Sequence, residues 1–82
     1  MNGDIIYKTK TGRMYIHLKM VDLEDNHYKF WEGALDGNSV IAHWGRIGTQ
    51  GQEVILRFKY PHDAYNYYAK KILEKQGKGY KE

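Results

Sequence analysis

The chain has 82 residues, no cysteine and a formal net charge of +3. That length suits one domain with one core, and the lack of cysteine excludes a disulfide-stapled fold and a thiolate metal site. With 41% hydrophobic and 15% aromatic residues the chain is too apolar for a disordered polymer, and no segment approaches the ~18 apolar residues of a membrane span.

Residues 1–13 read as an irregular N-terminal arm, with Lys8, Lys10 and Arg13 among threonines and a glycine, or as an arm holding a short strand near Ile5–Tyr7. The opening Met1–Ile6 lacks the basic-then-apolar pattern of a signal peptide, so a cytoplasmic location is expected, with no membrane partner. From Met14 the pattern alternates, with Met14, Ile16, Leu18 and Met20 on one face and Tyr15, His17 and Lys19 on the other, as in a half-buried strand. Glu24-Asp25-Asn26 marks a turn, and an aromatic-rich strand follows over about His27–Leu35. Asp36-Gly37-Asn38 is a hairpin signal, because tight hairpin turns need positive φ where Gly, Asn and Asp sit at little cost. A third strand spans Ser39–Ile47, Gly48–Gly51 turn the chain, and a fourth strand covers Glu53–Phe58.

The remainder is helical. Pro61 suits a first helical position and Asp63 suits the positive end of the helix dipole. Ala64, Tyr65, Tyr68, Ala69, Ile72 and Leu73 recur at helical spacing and form the stripe expected to face the sheet, with Lys70, Lys71, Glu74 and Lys75 largely off it. Gly77 and Gly79 end the helix. The expected fold is therefore α+β: an antiparallel four- to five-stranded sheet with one C-terminal helix packed on a face, formed by residues 14–82.

Charge is uneven along this plan. Asp22, Glu24, Asp25, Glu32 and Asp36 gather in the middle against Lys29, whereas from Arg57 onward seven basic residues face three acids, Asp63, Glu74 and Glu82. One basic end suits a polyanion, and it equally suits a solubilising surface.

The parts of an enzyme are missing. Ser39 is the only serine and follows a turn; His17, His27, His43 and His62 are scattered without metal-ligand spacing and read as surface or strand-face histidines. Gly45, Gly48 and Gly51 are not followed directly by a helix, as a phosphate-cradling loop requires. Asp22, Glu24 and Asp25 lack the spacing of a calcium loop. No catalytic residue, metal ligand, cofactor or small-molecule substrate is expected.

What remains is a surface. Strand parity puts Val40, Ala42, Trp44 and Arg46 on one side of the third strand, and Ile41, His43 and Ile47 on the other. Trp44 beside Arg46 offers a flat face and a forked donor for base, sugar and phosphate, and Gly45 lets another backbone approach. Parity equally allows Trp44 in the core and Arg46 paired with an acid.

The run His43-Trp44-Gly45-Arg46-Ile47-Gly48-Thr49-Gln50-Gly51-Gln52 resembles the signature of the WGR domain. Lys29-Phe30-Trp31-Glu32 with Asp36-Gly37 resembles that family's second strand and hairpin, and Glu74-Lys75 followed by Gly79-Tyr80 resembles its closing E-K-x-x-x-G-Y. The resemblance covers residues 14–82 and is nearest to the bacterial branch, which includes proteins similar to the molybdate metabolism regulator. In poly(ADP-ribose) polymerases activated by DNA damage, this domain binds the end of a DNA break. The resemblance therefore implies a non-catalytic nucleic-acid-binding module, with DNA favoured. Trp44 would pack on the sugar or base of a terminal nucleotide, with Gly45 beside it, and Arg46 would contact the backbone or a neighbouring domain. Lys29 matches a position that touches DNA in some members, and Lys75 and Tyr80 fall near the same surface. Tyr28 stands where those polymerases commonly carry asparagine. No ADP-ribosyl transfer is implied. The alternative expectation is a protein-interaction or regulatory module using the same Trp-Gly-Arg face.

Overall fold

A computed structural model of the chain describes residues 7–8 and 13–82. Five antiparallel strands, β1 (Tyr7–Lys8), β2 (Met14–Asp22), β3 (His27–Asp36), β4 (Ser39–Arg46) and β5 (Gln52–Arg57), pair in sequence order, and α1 (Pro61–Gly77) packs on one face. The expected α+β architecture is thus present in its five-stranded form. β1 begins where the suggested short strand ended; Ile5 and Ile6 lie outside the described residues.

The alternation seen in the sequence sets the two faces. Ile16 pairs with Gly33, Leu18 with Trp31, and Trp31 in turn with Trp44, so the core row crosses three strands. On the helix side Ile16, Leu18, Val40, Ala64, Tyr68 and Ile72 are fully buried. Each large aliphatic side chain removed from water in this way contributes roughly 1.5–3 kcal/mol. Trp31 lies over Gly33, where an added Cβ would stand 2.6 Å from the indole. Glycine at this point of β3 is the space that the indole fills.

The helix turns a narrower stripe to the sheet than its sequence suggests. Ala64, Tyr68 and Ile72 are buried, but Tyr65 and Leu73 are 42% and 61% exposed. The buried line follows strict i, i+4 spacing, and its flank is formed by Tyr67, Lys71 and Lys75, all half-buried, rather than by Tyr65 and Leu73. Long lysine stems cover apolar surface while their ammonium groups stay wet, which is why a stripe drawn from apolar residues alone misses them.

The closing segment is a Schellman turn. The Tyr80 N–H donates to the Lys75 carbonyl at 3.0 Å and the Gly79 N–H to the Gln76 carbonyl at 3.0 Å, with Gly79 at φ 103°. This reversal tucks Tyr80 into the core, where it is 8% exposed. Lys81 then pairs with the outer edge of β2, exchanging backbone hydrogen bonds with Lys19 at 2.6 and 2.7 Å.

Candidate nucleic-acid interface

Two neighbouring rows of the helix-side face build the site. In one, Trp31 pairs with Trp44; in the next, Lys29 pairs directly with Arg46. The C-terminal end of α1 reaches the same end of the sheet. Its Schellman turn sets Lys75 Nζ 5.3 Å from the centre of the Tyr80 ring. Lys29, Trp44, Gly45, Arg46 and Tyr80, with Phe30, line a depression of about 320 Å³. Trp44 and Lys75 also line a second groove of about 250 Å³ between α1 and the sheet. All six residues singled out in the sequence therefore converge, although Lys29 and Tyr80 are 51 positions apart.

The electrostatics are unbalanced. Like charges directly opposite each other on paired strands destabilise a sheet, yet Lys29 and Arg46 occupy such a pair. Among the described residues none of Lys29, Arg46 and Lys75 forms an ion pair with a carboxylate. Burial lowers the affinity of the Lys75 ammonium for its proton, and neighbouring Lys78, Lys71 and Lys29 add to the effect against the pull of Glu74. Arg46 is exposed and its guanidinium sits 5.7 Å from the centre of the Tyr28 ring, so an aromatic ring takes the place of an acid. Trp44 is half-buried: it packs against the core and also lines both openings. Of the two parity readings, the pairing of Arg46 with an acid does not occur among the described residues, and Trp44 serves the core and the surface at once.

Gly45 has a structural duty. A Cβ there would stand 2.7 Å from the Gly51 Cα, and a Cβ on Gly51, which holds φ 71°, would collide with the Trp44 carbonyl. The other backbone that approaches is thus the chain's own, as the 48–51 turn folds back across β4. Thr49 fastens the turn, donating to the Arg46 carbonyl from Oγ1 at 2.7 Å and from its N–H at 3.0 Å.

The opposite face of the sheet holds a cluster that sequence reasoning missed. His17, Glu32 and His43 stand in one row across β2, β3 and β4. Glu32 accepts from the Tyr15 hydroxyl, His43 Nδ1 approaches its Oε2 at 2.5 Å, and His17 Nδ1 lies 3.3 Å from its Oε1. The other ring nitrogen of His43 meets the Gln50 carbonyl. Both His43 partners are acceptors, so the doubly protonated ring fits best, and the Glu32 and Gln50 contacts raise its pKa. Burial pushes the Glu32 carboxyl up, but hydrogen bonds from Tyr15, His43 and His17 outweigh it and hold the group below its ordinary range. Burial likewise raises the Tyr15 hydroxyl, to about 12, with Glu32 adding to the effect. Two of the scattered histidines thus meet in space. Strand parity combined with hairpin register was the signal that could have found them. Among the described residues no group of three His, Cys, Asp or Glu side chains has the arrangement of a metal site, and no helix is long and apolar enough to cross a membrane.

Comparison with known proteins agrees with this fold. A crystal structure of a Bacteroides fragilis protein superposes with a TM-score of 0.76 at 32% sequence identity, over 83% of this chain and 19% of that one. This chain thus spans about a fifth of that protein. No curated protein matches it. The WGR domain family model matches residues 7–82, with the Trp44-Gly45-Arg46 run on β4 and the Gly79-Tyr80 turn after α1 both inside the match. The chain belongs to the WGR domain family.

Proposed function

We propose that this domain is a non-catalytic nucleic-acid-binding module that docks duplex DNA, with its ends favoured, on the surface formed by Lys29, Trp44, Gly45, Arg46, Lys75 and Tyr80. The observation that carries this reading is the cost built into the site. Lys29 opposes Arg46 across two strands and Lys75 is crowded by other lysines, which outweigh the pull of Glu74; among the described residues none of the three forms an ion pair with a carboxylate. Sites that break local rules of stability are where function is expected, and a polyanion would remove this repulsion. Trp44, half-buried and lining both openings, offers a stacking face beside these cations. In this arrangement Arg46 and Lys29 hold backbone phosphates, Trp44 meets a terminal sugar or base, and Lys75, braced on Tyr80, adds a third positive charge.

The test is fluorescence anisotropy with a short 5′-phosphorylated duplex, a hairpin-capped duplex of the same sequence and a single strand. Tighter binding to the open-ended duplex, weakened by Arg46→Gln, supports the reading. Arg46 is the clean probe because its side chain is exposed, whereas Trp44 also packs on the core. Absence of binding at low salt would refute it and favour a protein partner for the same face.

A further inference from the structure

The groove between α1 and the β4–β5 side of the sheet has no role in the site as described. It adjoins the Trp-Gly-Arg depression, with Trp44 lining both, and Lys75 of the proposed surface lies on its helix side. Trp44, Ala42 and Val54 line it from the sheet and Tyr67 from the helix. Lys71 adds a second cation to Lys75; its Nζ lies 5.8 Å from the centre of the Tyr67 ring and 3.3 Å from Glu74 Oε1. That contact joins two partly exposed side chains at i, i+3, a pairing weak enough to give way to a phosphate. At about 250 Å³ the groove is smaller than the roughly 300–1,000 Å³ of pockets that enclose a drug-sized ligand, and its scale suits one flat ring system.

We infer that this groove receives one unpaired nucleotide protruding from a duplex end, its base lying between Trp44 and Tyr67 and its phosphate facing Lys71 and Lys75. The inference rests on the nucleic-acid reading of the adjoining surface. The chemistry is complementary on both counts: aromatic rings on either side for a base, and two ammonium groups for the phosphate that a linear chain must bring with it. Stacking tolerates any base, so the site would sense the form of the end rather than its sequence. Tyr67 is held in place by Phe58, whose ring centre is 5.5 Å away, so the helix side of the slot is preformed.

The experiment compares a blunt duplex with duplexes carrying one unpaired adenosine at the 3′ or the 5′ end, using the whole chain and its Tyr67→Leu and Lys71→Gln variants. Leucine retains an apolar contact for Phe58, and Lys71→Gln removes only a half-buried charge, so at least one variant keeps the fold. The wild-type chain is expected to bind one of the overhangs about fivefold to tenfold tighter than the blunt end. That corresponds to ~1–1.4 kcal/mol, the low end for a stacked base. Both variants are expected to lose that gain while binding the blunt duplex as before. Equal binding of blunt and overhanging ends by the wild-type chain would overturn the inference and leave duplex binding standing. A gain that persists in both variants would also overturn it, because the base would then sit elsewhere. Failure to bind any duplex at low salt would overturn this inference and the reading beneath it together.

Discussion

Replacing Gly45 with alanine sets a methyl group against the backbone of the 48–51 turn. The new Cβ would stand 2.7 Å from the Gly51 Cα, a distance at which one of the two must move. Gly51 has little freedom to retreat. The turn is fastened to the Arg46 carbonyl by both donors of Thr49, and its Gln50 carbonyl is bound by His43. Overpacking against fixed backbone costs typically ~1–3 kcal/mol. At the middle of that range, about 2 kcal/mol, a domain of this size loses roughly 8–16 °C of melting temperature. Gly77→Ala serves as the comparison: it sits in the last turn of α1 with nothing within 4 Å of an added Cβ, so it should gain about 0.4–1 kcal/mol. Thermal unfolding followed by circular dichroism reads both variants. A Gly45→Ala protein that melts within a degree or two of wild type would refute the claim that this glycine seats the turn.

Two further predictions concern the rest of the fold. The Tyr68 hydroxyl is buried with no hydrogen-bond partner among the described residues, so Tyr68→Phe should stabilise the protein by about 1 kcal/mol, seen as a rise of roughly 4–8 °C in melting temperature. The Glu32 cluster should give stability a pH optimum. Glu32 is depressed below its ordinary 4.5, so its contribution is complete above that value and is lost as pH falls through the folded pKa. His43 is raised above 6.5, so its contribution is complete below that value and is lost as pH rises through the folded pKa. The cluster should therefore stabilise most between about pH 4.5 and 6.5. Denaturant titrations of wild type and His43→Gln should converge as pH rises toward 9, and parallel curves would contradict the assignment.

The strands were legible because one face is dry and the other wet. Met14 to Met20 alternate cleanly, and both Asp36-Gly37 and the glycines of 48–51 mark where the chain must turn. Boundaries moved by a residue: β4 ends at Arg46 rather than Ile47, and β5 starts at Gln52 rather than Glu53. The approach of Gly45 to Gly51 was not legible, because composition shows that a backbone comes close but not which one. Nor was the row of His17, Glu32 and His43, which requires two hairpin registers at once. In the helix, counting Leu73 and Tyr65 as core overlooked that lysine stems can flank a buried stripe; the same oversight hid the groove beside Lys71 and Lys75. The closing Gly79-Tyr80 was visible as a motif, but its meaning came from the Schellman turn that fixes Lys75 over the Tyr80 ring.

The most direct test of the proposed interface is the salt dependence of duplex binding. Each phosphate neutralised contributes a slope of about −0.9 to a plot of log affinity against log salt. If Lys29, Arg46 and Lys75 each hold one phosphate, the slope should be about −2.7, an affinity loss of roughly 40-fold between 50 and 200 mM salt. Lys29→Gln, which removes one exposed charge, should bring the slope to about −1.8. A slope near zero, or one that Lys29→Gln leaves unchanged, would contradict phosphate docking at the Trp-Gly-Arg surface.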